Sequence, residues 1–199
     1  MIHIIDDDES LRAAIGSLLR SVGHCVGLYE STSAFVEEYR PGGPSCILLD
    51  VRMPGLGGLD FQDRLIELGL HLPVIMMTGH GDIPMSVKAM KAGAVDFLPK
   101  PFREQDLLDA VSTALERDRQ RLGIEDRIQL VRARFGTLSP REREVMALVT
   151  AGKMNKQVAG DLGLSEITVK IHRGSAMRKM GVRTLADLVK LSEELRLAS

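Results

Sequence analysis

The chain has 199 residues, 44 % of them hydrophobic, with two cysteines and no tryptophan, which is room for one large or two modest globular domains. This composition excludes a disordered or collagen-like chain; no apolar run is long enough to cross a bilayer, and the start carries no leader pattern, so a cytoplasmic protein with no membrane partner is expected. The 27 acidic and 26 basic side chains are unevenly placed: residues 1–121 hold 18 acidic and 12 basic groups, a net −6, and residues 122–199 hold 9 and 14, a net +5. An acidic front and a basic back suggest two domains with different partners, the second a polyanion.

In the first half, short apolar runs at 2–5, 26–29, 46–49, 74–77 and 95–98, bounded by Asp, Gly or Pro, predict strands. Between and after them, 11–22, 31–39, 59–68, 83–92 and 104–115 have helical period. Strand and helix alternating at this spacing predict βα units building one parallel sheet covered on both faces, an α/β doubly wound fold. Cys25 and Cys46 sit in apolar stretches without metal-ligand spacing, so they read as small hydrophobes. Residues 115–134 are charged, with Ile124, Ile128, Val131 and Phe135 at spacings of four, three and four, which predicts a linker helix interrupted at Gly123. Beyond it the strand signal stops. Four helical segments, 140–151, 155–162, 165–180 and 185–195, are separated by Gly152, Gly163 and Gly181, with Ser139-Pro140 and Ser165 as helix starts.

In an open parallel sheet the functional crevice lies beyond the carboxyl ends of the strands. The first strand delivers Asp6, Asp7 and Asp8 there, the third Asp50, the fourth Thr78 and Gly79, and the fifth Lys100 and Pro101. Crowded carboxylates repel one another and attract a hard divalent cation; Mg²⁺ (or Mn²⁺) suits such a set, because it takes a few carboxylates and bridges to phosphate oxygens. Such a site fits phosphoryl transfer to a carboxylate. Asp50, alone at its strand end, is the nucleophile candidate, with Asp6 and Asp7 paired for the metal and Lys100 and Thr78 to bind the phosphoryl group. Each residue also has a plainer role: Asp8 as a helix N-cap, Lys100 as a solvated lysine, Thr78 as a turn former.

These residues carry a resemblance. Asp6-Asp7, Leu49-Asp50-Val51-Arg52-Met53-Pro54, Thr78-Gly79-His80-Gly81 and Lys100-Pro101-Phe102 make residues 1–120 similar to the receiver domain of bacterial two-component response regulators. The resemblance implies a flavodoxin-like five-stranded fold and phosphotransfer from a sensor histidine kinase onto Asp50. It also implies metal binding by Asp7, Asp50, Asp6 directly or through water, and the backbone carbonyl of Arg52, and a cis peptide before Pro101. Thr78 and Phe97 would form the switch, and since Phe97 has no hydroxyl, that switch would be steric. An aspartyl-phosphate hydrolase would also use Mg²⁺ and an Asp nucleophile, but those recognisable as such carry a second Asp two residues on, where Arg52 stands.

The tail places Lys156, Lys170, Arg173, Arg178 and Lys179 on two helices joined at Gly163-Leu164, the pattern of a DNA-binding helix-turn-helix. Lys170, Arg173 and Lys179 are placed to reach DNA, whereas Ile167, Ile171 and Met177 have partly apolar duties. Leu138-Ser-Pro-Arg-Glu-Arg-Glu-Val145, Gly152-Lys-Met-Asn-Lys-Gln-Val-Ala159 and Leu164-Ser-Glu-Ile-Thr-Val-Lys-Ile-His172 resemble the LuxR-type domain, and the combination resembles the FixJ group of response regulators. By that resemblance Lys170, Ile171 and Arg173-Gly174 face base edges of promoter DNA, while Asn155, Lys156, Thr168 and His172 serve backbone contacts or helix positioning. Met154 and Ser175 depart from the family pattern, and Gly174 falls inside the recognition helix, where glycine costs about 1 kcal/mol relative to alanine. The resemblance implies a receiver over 1–120, a linker helix over 121–136, a LuxR-type domain over 137–199, a homodimer when phosphorylated, and RNA polymerase as a partner. Relief of inhibition between the two domains, and constitutive DNA binding with a silent receiver, stay open as alternatives.

Overall fold

A computed structural model describes residues 1–54, 57–79 and 83–197, with the side chains of 83–85 and 196–197 left out. The chain divides into two compact units, Met1–Leu122 and Gly123–Ser199.

The first unit is a parallel sheet of β1 (Ile2–Ile5), β2 (Val26–Tyr29), β3 (Cys46–Asp50), β4 (Val74–Thr78) and β5 (Asp96–Pro99) in the order β2-β1-β3-β4-β5. Its helices are α1 (Glu9–Ser21), α2 (Thr32–Glu38), α3 (Gly58–Glu67), α4 (Ile83–Lys91) and the start of α5 (Glu104–Gly136). Because side chains alternate across a strand, Ile2, Ile4, Cys46, Leu48, Ile75 and Met77 pack with α1 and α5, while Ile5, Ile47, Leu49, Val74 and Met76 pack with α2, α3 and α4. Every residue of β1, β3 and β4 is buried, and the edge strands β2 and β5, though partly exposed, still send Val26 and Leu98 to one covered face and Tyr29 and Phe97 to the other, as expected of a sheet covered on both faces. Cys46 is fully buried, and burial pushes its thiol up to about 12. Cys25 departs from expectation: it is exposed, just before edge strand β2.

The segment 121–136 is helical as expected, but the interruption expected at Gly123 is absent: α5 runs from Glu104 to Gly136. One interior glycine costs only about 1 kcal/mol, and the surrounding Arg, Leu, Glu and Gln are good helix formers. The second unit packs the end of α5 with α6 (Pro140–Thr150), α7 (Asn155–Leu162), α8 (Glu166–Met180) and α9 (Leu185–Leu197) around Val131, Val145, Met146, Val149, Val158, Val169, Ala176 and Leu188. Its boundaries follow the local chemistry. Ser139 and Glu142 form a capping box with Pro140 in the first turn, Ser165 accepts from the Thr168 N–H, and Gly163 closes α7 at φ 65°, a left-handed conformation that glycine adopts freely. Among the described residues, no helix is long and apolar enough to cross a membrane.

Candidate functional site

The β-strand ends bring the predicted carboxylates together. Asp6 directly follows β1, with its carbonyl accepting from Arg12 at 2.5 Å and its Oδ1 from the Asp8 N–H at 3.0 Å. Asp8 caps α1, accepting from the Leu11 N–H at 3.0 Å. Asp50 ends β3, and its Oδ2 accepts from the Arg52 N–H at 3.2 Å. Lys100 follows β5 across a cis peptide to Pro101; its Nζ donates to Asp6 Oδ2 at 2.7 Å and to Asp50 Oδ1 at 2.8 Å. Asp6, Asp7 and Asp50 each offer an oxygen within 4.8 Å of the others, Asp7 being the exposed one.

Three carboxylates therefore gather here, and one ammonium bridges two of them. Burial pushes the Asp50 carboxyl above its ordinary value, only partly offset by the hydrogen bond and charge of Lys100. For Lys100 burial acts to lower the ammonium, but the hydrogen bonds and charges of Asp50 and Asp6 outweigh it and leave it raised. A divalent cation fits this set, because hard oxygen donors with an excess of negative charge are what Mg²⁺ binds. Thr78 closes β4 fully buried, with its carbonyl accepting from the Lys100 N–H at 2.6 Å, and Phe97 on β5 is half-buried against the α2–α4 side of the sheet. His80 and Gly81 lie outside the described residues.

Spacing gave no sign of Gly58. A Cβ there would meet the Asp50 carbonyl at 2.5 Å and Val51 Cα at 3.0 Å, so only glycine lets the first turn of α3 lie against the backbone that carries Asp50. Nor did it mark Asp118, a buried carboxylate on α5 that accepts from the Ser45 N–H and Arg121 Nε, each at 2.8 Å.

In the second unit, α7 and α8 form the two helices of the predicted motif. Asn155 Oδ1 accepts from Arg173 at 3.3 Å, tying the start of α7 to the middle of α8. These two line a concavity of about 440 Å³ with Lys153, Lys156 and Glu166. Lys170 and Ile171 are exposed, His172 is half-buried, and the Thr168 hydroxyl is engaged with Ser165 Oγ at 2.8 Å. Lys179 turns its ammonium to Glu142 Oε2 at 2.7 Å and to the Thr137 carbonyl at 3.2 Å, and Ile167 and Ile171, both expected to have partly apolar duties, are exposed. Ser175 donates to Glu142 Oε1 at 2.6 Å, so this departure from the family pattern still makes a helix-packing bond. Met154 offers no side-chain oxygen to cap α7, but its N–H donates to Gln157 Oε1 at 2.9 Å.

A 2-1-3-4-5 parallel sheet with a carboxylate cluster and a lysine at its strand ends, followed by an all-helical domain containing a helix-turn-helix, defines a receiver joined to a DNA-binding module. Residues 2–112 match the response regulator receiver domain, and residues 136–192 match the bacterial regulatory proteins of the luxR family. The chain belongs to the response regulators that combine these two domains. It is 52 % identical over 199 residues to nodulation protein W of Bradyrhizobium diazoefficiens, covering all of this chain and 88 % of that one. It is 39 % identical to the transcriptional regulatory protein FixJ of Rhizobium meliloti, covering 96 % and 94 %. The solved structure of the response regulator StyR matches with a TM-score of 0.86 at 44 % identity, covering 97 % of this chain and 98 % of that one. Full-length FixJ from B. japonicum matches at 0.58 and 38 %, covering 98 % and 97 %.

Proposed function

We propose that Asp50 is the phosphoacceptor and that its phosphorylation by a sensor histidine kinase switches the DNA binding of the tail. The observation that carries this is Lys100 Nζ held between Asp6 Oδ2 and Asp50 Oδ1, which fixes a cation beside the nucleophile. An Asp50 carboxylate oxygen forms a bond to phosphorus as the donor's phosphorus–nitrogen bond breaks, and the leaving imidazole takes a proton. Asp6, Asp7, Asp50 and the Arg52 carbonyl would hold Mg²⁺, which supplies charge neutralisation at the phosphoryl oxygens. Lys100 pairs with a phosphoryl oxygen once Asp50 has spent its charge on the new bond, and the Thr78 hydroxyl binds another. Phe97 couples this change to the surface made by α4 and α5 by packing alone.

Residues 1–120 act as the receiver, 121–136 as the link and 137–199 as the DNA-binding domain of a cytoplasmic regulator. On promoter DNA, Lys170, Ile171 and Arg173 read bases, Asn155, Lys156, Thr168 and His172 hold the backbone or position α8, and a phosphorylation-induced homodimer presents two such helices where RNA polymerase is recruited. Intact mass after incubation with Mg²⁺ and a small phosphodonor tests the first step. One added phosphoryl group, absent without metal and absent in Asp50→Asn, is expected. An adduct that persists in Asp50→Asn overturns the assignment.

A further inference from the structure

α8 buries Val169, Ala176 and Met180 against the core of its unit. Its opposite face carries Ile167 and Ile171, one turn apart, beside the exposed Lys170. Ile167 is 73 % exposed and Ile171 63 %. A solvent-facing pair of β-branched residues adds nothing to the core, and lysine or alanine would favour the helix more. The surroundings say what kind of surface meets it. Lys170 flanks the pair, Arg178 continues the same face two turns on, and the C-terminal segment is net positive. A second copy of this face would bring like charges together, whereas a polyanion with apolar groups in its groove answers both the charge and the isoleucines.

The thymine C5-methyl is the apolar group that base edges present in the major groove. We propose that Ile167 and Ile171 are specificity-determining residues that read two thymine methyl groups, Lys170 supplying the polar contact beside them. This rests on the reading of α8 as the recognition helix. Four residues of helix advance about 6 Å, close to two base steps of about 3.4 Å, so the two thymines lie about two base pairs apart. Cytosine is rejected at these positions because it has no methyl and its N4 amine would face a side chain that cannot accept a hydrogen bond.

The test uses the full chain treated with Mg²⁺ and a small phosphodonor. Duplexes are selected from a randomised pool, and each thymine of the selected sequence is then replaced by deoxyuridine, which removes only the methyl. The expected result is a loss of about fourfold in affinity at each of two positions, the worth of one buried methyl. Ile167→Ala erases that loss at one position and Ile171→Ala at the other, with the salt dependence of binding unchanged. Both side chains are exposed, so unchanged melting is expected and serves as the folding control. Equal affinity for the thymine and deoxyuridine duplexes overturns the proposal, as does a methyl preference that survives in both variants. Tight binding with no sequence preference overturns it while leaving the recognition-helix reading intact. Failure to bind any duplex removes that reading itself.

Discussion

Lys179 Nζ lies 2.7 Å from Glu142 Oε2, joining the last turn of α8 to the first turn of α6. The same carboxylate accepts from Ser175 and from the Ser139 N–H that begins α6. Glu142 is thus buried but fully bonded, and the hydrogen bond of Lys179, then those of Ser175 and Ser139, hold its carboxyl down at about 2.

Removing this carboxylate takes an acceptor from three donors at once, of which Lys179 keeps the Thr137 carbonyl. Glu142→Ala is expected to cost the C-terminal unit about 2–4 kcal/mol in urea unfolding. A carboxyl lowered in the folded state stabilises fully above its ordinary value of 4.5 and loses that contribution as pH falls toward about 2, so the difference between parent and variant should shrink over that window. Lys179→Ala is expected to lower stability and leave the salt dependence of DNA binding unchanged. Lys170→Ala does the reverse, leaving stability unchanged while weakening DNA binding and relaxing its sequence preference, read by competition between duplexes.

Millimolar Mg²⁺ is expected to raise the melting temperature of the receiver, since a ligand that binds only the folded carboxylate cluster stabilises it by mass action. Asp7 is the exposed member of the cluster, so Asp7→Asn should fold normally and lose most of that rise. Lys100→Ala leaves Asp6 and Asp50 buried without their ammonium, and a loss of about 3 kcal/mol or more in metal-free buffer is expected by calorimetry, partly restored by Mg²⁺.

Gly58→Ala forces a methyl into the Asp50 carbonyl, a backbone group that must shift. Unfolding should show a loss of about 1–3 kcal/mol, and the rate of phosphoryl uptake, read by mass, should fall with it although no group of the cluster has been altered.

His3 is buried among Tyr29, Phe35 and Tyr39, with Nδ1 3.3 Å from the Tyr29 hydroxyl and Nε2 without a hydrogen-bond partner among the described residues. Burial, and then the nearby N-terminal charge, lower its imidazole to about 4. The folded state then binds fewer protons than the unfolded one between about 4 and 6.5, so stability is full above 6.5 and falls by about 1.4 kcal/mol per pH unit toward 4. His3→Phe should remove that part of the slope in urea titrations across this range.

The strands, the capped helix starts and the convergence of Asp6, Asp7, Asp50 and Lys100 are legible because they depend on local signals. Alternation, N-cap residues and the rule that parallel strands open their carboxyl ends to one crevice depend on short stretches of sequence. Position decided the rest. β2 and β5 are legible as strands like the central ones, but the sheet order is what makes them edges. Gly58 matters because α3 returns onto the backbone of Asp50, which no spacing reveals.

By itself the sequence determined a doubly wound domain with a phosphate-type site and a basic helical tail, since residue chemistry and periodicity act over a few positions. Only the tertiary structure decided which charges face solvent. Lys170 and Lys179 are alike on paper and nine residues apart on one helix, yet Glu142 comes from another helix to claim Lys179, while the burial of Val169, Ala176 and Met180 turns Ile167 and Ile171 outward. Long-range packing sets the rotation of a helix about its axis, and that rotation separates a residue that holds the fold from one available to a partner.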